Sequence, residues 1–202
     1  MISLVAIADS SAPPSSALLR TVSAGSLCAL CVPVDDRPVT LDALVDREEL
    51  LEALMEERDV LPVQFGTTLP DERAAARVLL ERHEELAAAL DRVRGAVELG
   101  VRARLVGGAE PAAHASGREY LRARIDKAEA GRRLHERLAA MSRSAVVRPG
   151  PDLLRAAYLV DRSAVARFVA EVQRTQESCP ELSLLCTGPW PPFSFSGTEP
   201  GS

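Results

Sequence analysis

Two cysteines three positions apart, Cys28-Ala-Leu-Cys31, have the spacing that could most directly do chemistry in this chain. A CxxC pair can exchange disulfides or supply half of a zinc site. Redox pairs sit at helix N-termini, where the dipole lowers the thiol pKa. Here SLCALCVPV (26–34) reads as a strand, on which residues three apart point to opposite faces. A four-cysteine zinc site needs a second close pair, whereas Cys179 and Cys186 stand at opposite ends of a short strand-like run. The cysteines are therefore read as small hydrophobes of a core, with thiol-redox chemistry at Cys28 and Cys31 as an alternative.

The histidines offer little more. His83 falls between Leu79 and Leu86 on the inner stripe of a helical pattern, and His83-Glu84-Glu85 lacks the second histidine of a metalloprotease HExxH. His114 lies in a loop and His135 on a charged helix. Asp35–Asp36 before Arg37-Pro38 is turn chemistry, Glu48–Glu49 the solvated side of a helix, and Gly107–Gly108 a hinge without the strand–GxGxxG–helix context of a phosphate loop. No catalytic residue, cofactor site or metal ligand is assigned.

The elements that would position any site come next. The chain has 202 residues, 47% hydrophobic and 26% charged, which suits one large or two small globular domains. Aromatics are 3%, so Leu, Val and Ala must build the core. The net charge of -5 argues against nucleic acid as the main partner. No apolar run reaches the roughly 18 residues of a membrane span, and MISLVAIADS has no basic leader region. A cytoplasmic protein with reduced cysteines is expected.

Residues 2–8 (ISLVAIA) and 26–34 read as buried strands, with loop chemistry over 9–25 and at most a short helix around 17–21. Thr40 is a candidate N-cap for a helix over 41–58, with Leu41, Leu44, Val45, Leu51, Leu54 and Met55 on one broad apolar face. VLPVQFG (60–66) reads as a strand with Leu61, Val63 and Phe65 inward. Asp71 and Glu72 open one strong helix that Gly95 stops. VELGVRARL (97–105) alternates strictly, placing Glu98, Gly100, Arg102 and Arg104 on a solvated face.

A boundary is expected at 107/108, giving domains 1–107 and 108–202. In the second, a long charged helix over 118–142 changes its apolar phase near Gly131, from Leu121, Ile125 and Ala128 to Leu134, Leu138 and Met141. Such a change suggests a bend or a change of partner. Residues 118–148 carry nine Lys/Arg against four Asp/Glu; interspersed charges favour a solvated helix over a nucleic-acid or lipid surface. A strand over 153–160, a helix over 162–178 capped by Asp161, and a strand ELSLLC follow. The fold class is α+β in two small domains, and a ferredoxin-like plan is the first guess for each, more so for the first.

Three stretches together resemble the gas vesicle protein L/F family: EALMEERDVLPVQFGTTLPDE (52–72), LERHEELAAALDRVRGAVELGVRARL (80–105), and GREYLRARIDKAE (117–129) with AAYLVDRSAVARF (156–168) and TGPWPPFSF (187–195). They are collinear across most of residues 40–195. The start LVAIA lacks the family's usual tyrosine, and 138–155 is shorter than the family pattern. The resemblance implies an N-terminal domain of modified ferredoxin-like fold and an α+β C-terminal domain. It also implies a non-enzymatic accessory role in gas vesicle assembly, in contact with the small hydrophobic shell protein and other vesicle proteins. A ferredoxin-like small-ligand module is the alternative reading.

The motif TGPWPPFSF concentrates three of the chain's seven aromatics, Trp190, Phe193 and Phe195, among three prolines. The prolines stiffen an extended path, and each aromatic can bury about 150–250 Å². Such a tail either clasps its own protein or presents anchors to a partner, and the clasp is the favoured expectation.

Overall fold

The structure is a computed structural model, and it describes residues 1–11, 16–34, 41–106 and 117–197. Thr40, Asp35–Asp36, His114 and the Gly107–Gly108 hinge named above lie outside the described residues, as do the side chains of Leu41, Leu121 and Ile125. By packing, the chain divides into two compact units, Met1–Ala96 with Trp190–Ser202, and Val97–Pro189.

The first unit holds β1 (Ile2–Asp9), β2 (Arg20–Ala24), β3 (Leu27–Pro33), α1 (Leu41–Glu57), β4 (Leu61–Pro62), β5 (Thr68–Leu69), α2 (Glu72–Glu81) and α3 (His83–Val93). The sheet order is β2-β3-β1-β4, with β5 also paired to β1, and all these pairs are antiparallel. The apolar runs seen in the sequence are its two central strands. β1 and β3 bury residues of both alternations, including Val5, Ala6, Ile7, Ala29 and Leu30, as runs without polar alternation do when both faces are covered.

Two expectations change here. Residues 20–24 form a strand, not part of a loop; β2 closes a hairpin with β3 through Gly25, whose φ of +64° favours glycine. The single helix after Asp71 is two, broken at Arg82. Asp71 does cap it, its carboxylate accepting from the Ala74 N–H at 2.8 Å. Gly95 ends α3 at φ +68°, its N–H donating to Asp59 at 2.8 Å.

The second unit runs through β6 (Ala96–Leu105), α4 (Gly117–Ala139), β7 (Ser144–Val147), β8 (Leu154–Asp161), α5 (Val165–Ser178) and β9 (Leu182–Trp190). Its antiparallel sheet has the order β7-β8-β6-β9. The division by packing falls between Ala96 and Val97, at the start of β6, which is an inner strand of this sheet. Leu99, Val101, Ala103, Tyr158 and Val160 of the sheet pack with Leu134 and Leu138 of α4 and Phe168 and Val172 of α5.

Gly131 sits where a Cβ would stand 2.4 Å from the Leu153 carbonyl oxygen, so glycine permits α4 to approach the chain leading into β8. Asp161 does not cap α5: it precedes a 3-10 turn without a side-chain cap bond and pairs instead with Arg143. On α5, Gln176 reaches across to β9, donating to the Leu182 carbonyl and accepting from the Leu184 N–H, both at 2.6 Å. This side chain satisfies backbone groups of β9, the edge strand, which among the described residues pairs with β6 alone.

Candidate functional site

Cys28 and Cys31 are free and fully buried within β3. Burial pushes the Cys31 thiol up to about 11, with the Glu72 carboxylate adding to it. The Cys28 thiol is also raised by burial. A redox nucleophile needs a stabilised thiolate; these surroundings stabilise the thiol. Among the described residues no group of three His, Cys, Asp or Glu could hold a metal ion.

His83 opens α3, its Nε2 lying 2.9 Å from the Ser26 hydroxyl beside the Gly25 turn, so it braces the β2–β3 hairpin. His135 Nδ1 is 3.1 Å from the Tyr158 hydroxyl. Tyr158 is fully buried, its ring 5.3 Å from that of Phe168, and burial raises its phenol pKa. Both histidines thus serve polar atoms at the margins of packed cores.

The apolar face expected for α1 is only partly correct. Leu51, Leu54 and Met55 are buried, but Leu44 and Val45 are exposed, and Arg47 points inward at 9% exposure. Its Nη2 donates to the carbonyls of Leu4, Val63 and Val5 at 2.5, 3.0 and 3.3 Å, and burial lowers its pKa. These acceptors lie at a bulge in β1 between Leu4 and Ala6, where the Val5 carbonyl accepts from the Val63 N–H and the Leu4 N–H donates to the Thr67 carbonyl. Phe65, expected inward, is 38% exposed and lies under the Arg47 guanidinium.

The tail residues are placed as follows. Trp190 ends β9 and is half-buried, Phe193 is exposed, and Phe195 is half-buried in a 3-10 turn (Phe193–Phe195) that touches α3. Pro191, Pro192 and Ser196 are buried. The Ser196 hydroxyl closes the turn on the Phe193 carbonyl at 3.0 Å.

On the sheet face away from α4 and α5, a shallow depression of about 240 Å³ lies over Gly100 and Ala157, walled by Arg102, Arg148, Arg155, Glu98, Leu185 and Thr187. A Cβ at Gly100 would stand 2.7 Å from the Thr187 hydroxyl, so glycine leaves room for that side chain. Beside the depression Asp152 accepts from Arg104 Nε at 2.7 Å and Arg102 Nε at 2.5 Å. These two bonds hold its carboxyl below the usual range. The alternation in VELGVRARL had marked this face as solvated; the cross-strand arginines Arg148 and Arg155 carried no such signal.

Two mixed helix–sheet units with antiparallel sheets define a fold shared with gas vesicle proteins of known structure. GvpF from Anabaena sp. PCC7120 superposes with a TM-score of 0.82 at 15% identity, over 100% of this chain and 97% of that one. GvpF from Microcystis aeruginosa does so at 0.77 and 13%, over 96% and 98%. In sequence, gas vesicle protein L of Streptomyces sp. (strain CB03234) is 35% identical over 199 residues, covering 82% of this chain and 74% of that protein. Gas vesicle protein F of the same strain is 30% identical, covering 88% and 87%. The family model described as "Gas vesicle synthesis protein GvpL/GvpF" matches residues 8–131 and 115–197. The chain belongs to the GvpL/GvpF family.

Proposed function

We propose that this protein is a non-catalytic assembly factor that acts in the cytoplasm at the growing gas vesicle and binds the small hydrophobic shell protein. The observation that carries the reading is the family match along nearly the whole chain, 8–131 and 115–197. The buried, protonated thiols of Cys28 and Cys31 speak against the redox alternative. No helix among the described residues is long and apolar enough to cross a membrane.

The two units act as the two domains of this factor. The strand order β2-β3-β1-β4 in the first and β7-β8-β6-β9 in the second supports a ferredoxin-like plan for both. In the second unit the sequence β6-α4-β7-β8-α5-β9 supplies both crossover helices; the first has no helix described between β1 and β2. The buried Pro191, Pro192 and Ser196 support the tail as a clasp on the first unit, with Trp190, Phe193 and Phe195 as its aromatic contacts.

The test is deletion of the gene in a vesicle-producing host, with pull-down of the shell protein by the tagged chain. Loss of vesicles together with shell-protein capture is expected. Normal vesicles and no capture would overturn the reading.

A further inference from the structure

We propose that the outer edge of β9 pairs antiparallel with the same edge of a second copy of this chain, about a two-fold axis at Cys186. The register of β9 on β6 decides which main-chain groups face outward. The Val106 N–H donates to the Glu181 carbonyl at 2.8 Å, and Gly100 lies against Thr187, where a Cβ would stand 2.7 Å from the hydroxyl. These two pairs are equally spaced on both strands, so the ladder between them has no bulge. Ser183, Leu185 and Thr187 therefore turn their N–H and C=O groups toward β6, and Leu182, Leu184 and Cys186 turn theirs outward. Gln176 agrees with this alternation from the far side, since it bonds the Leu182 carbonyl and the Leu184 N–H.

Gln176 closes only one end of the edge, where the Leu182 N–H is engaged as well, by the Cys179 carbonyl at 2.9 Å. Beyond it, the Leu184 carbonyl, the N–H and carbonyl of Cys186 and the Gly188 N–H have no hydrogen-bond partner among the described residues. Gly188 has a φ of +109°, which takes the chain out of the extended conformation after that N–H. The open groups thus read acceptor at 184, donor and acceptor at 186, donor at 188. Reversed, this order is its own complement. In an antiparallel pair each Cys186 N–H meets the other copy's Cys186 carbonyl, and each Gly188 N–H meets the other copy's Leu184 carbonyl. The Leu184 N–H needs no partner there, because Gln176 already holds it.

The side chains suit the same pairing. Edge strands are commonly guarded by charge. β2 begins with Arg20 and β7 stands between Arg143 and Arg148, but β9 carries no charged residue from Leu182 to Trp190. Two identical edges meet there without like-charge repulsion, and main-chain dipoles supply the electrostatic complementarity. Leu185, at 56% exposure, comes to lie opposite Thr187 of the second copy. That is a non-hydrogen-bonded pair, with Cα atoms about 4.5 Å apart and side chains in contact. The contact is isologous, so it closes as a dimer and joins two sheets into one. It is independent of the shell-protein reading, and either can fail without the other.

Sedimentation velocity and cysteine trapping on the full chain test it. A concentration-dependent dimer is expected, little changed by salt because no ion pair holds it. Cys186→Pro removes the central N–H and should weaken the dimer at least about tenfold. Melting curves verify that the variant is folded. If it melts lower, Leu185→Lys, which places a charge on the edge at an exposed position, takes its place with the same expectation. For trapping, Cys179→Ser and Cys186→Ala first remove competing thiols. Leu185→Cys chains mixed with Thr187→Cys chains in a glutathione redox buffer should then form a disulfide-linked pair, at least about fivefold more than Leu185→Cys mixed with Ser183→Cys. A chain that stays monomeric at every concentration overturns the proposal. So does a dimer that the folded edge variants leave unchanged, or trapping with no preference for positions 185 and 187. Protection of the Cys186 and Gly188 amides from hydrogen exchange only when shell protein is added would give the edge to a strand of that protein, and would equally overturn it.

Discussion

Arg47 Nη2 donates to the Leu4 carbonyl at 2.5 Å, placing a cation from α1 inside the first unit against the bulge of β1. Val63 and Val5 accept from the same nitrogen. Replacing Arg47 with methionine keeps much of the stem but strands carbonyls in a dry site. The expected loss is about 2–4 kcal/mol, from charged hydrogen bonds removed and acceptors left unsatisfied. Chemical denaturation of Arg47→Met against the parent measures it. A change under about 0.5 kcal/mol, the range of ordinary surface substitutions, would show that water replaces the guanidinium without cost.

Gly131 gives a second stability test, this time in the second unit. A Cβ there would stand 2.4 Å from the Leu153 carbonyl oxygen, a backbone atom that no side-chain rotation can move away. In an exposed helix Gly→Ala stabilises by nearly 1 kcal/mol. At this position Gly131→Ala is expected to destabilise by about 1–3 kcal/mol, as overpacking does. Thermal melts of the variant should therefore shift downward; an upward shift would mean that α4 and the Leu153 segment separate freely.

The sequence made some of these relationships legible and hid others for physical reasons. ISLVAIA and LCALC announce central strands because burial on both faces leaves no polar alternation to interpret. VELGVRARL announces a half-solvated strand, and Asp71 and Gly95 mark helix ends through local chemistry that needs no partner. β2 was hidden because, apart from half-buried Ala24, its side chains are exposed except for Val22, so it has almost no pattern of its own. β7 is similar, with half-buried residues only at Ala145 and Val146. The inward Arg47 was hidden for a different reason. A charged residue enters a core only where backbone acceptors await it, and the bulge that supplies them is a tertiary feature. The arginines of the second sheet come from β6, β8 and the turn after β7, so their proximity exists only once strand order is known.

Cys31 predicts an alkaline limit to stability. Its thiol titrates at about 11 in the fold, above the ordinary value of 9.0, because burial and Glu72 disfavour the thiolate. The sign follows from proton counting: between pH 9 and 11 the unfolded chain has lost this proton and the native chain keeps it. The stabilisation is thus complete below pH 9 and is lost as pH rises through 11. Cys28 and Cys186 are shifted in the same direction. Denaturation midpoints should fall across this window, and Cys31→Ala should fall less steeply. Thiol reagents at pH 8 should leave Cys28 and Cys31 unmodified until the chain unfolds; rapid labelling of the native protein would contradict the buried, protonated state.

Trp190 separates the two readings of the tail. The chain leaves β9 at this residue, and the next two, Pro191 and Pro192, are buried. The Phe193–Phe195 turn then touches α3, and buried Ser196 closes it. If the segment is a clasp, its half-buried indole contributes to holding the first unit. Trp190→Ala should then cost about 2 kcal/mol from lost apolar burial. For a chain of this size that lowers the melting temperature by roughly 4–8 °C. Phe193, at 45% exposure, provides the contrast, since Phe193→Ala removes far less buried area. A clasp therefore predicts a large shift for Trp190→Ala and a small one for Phe193→Ala, with shell-protein capture falling only as far as folding falls. Unchanged melting in both variants, with capture lost, would instead make Trp190, Phe193 and Phe195 the anchors of the partner interface.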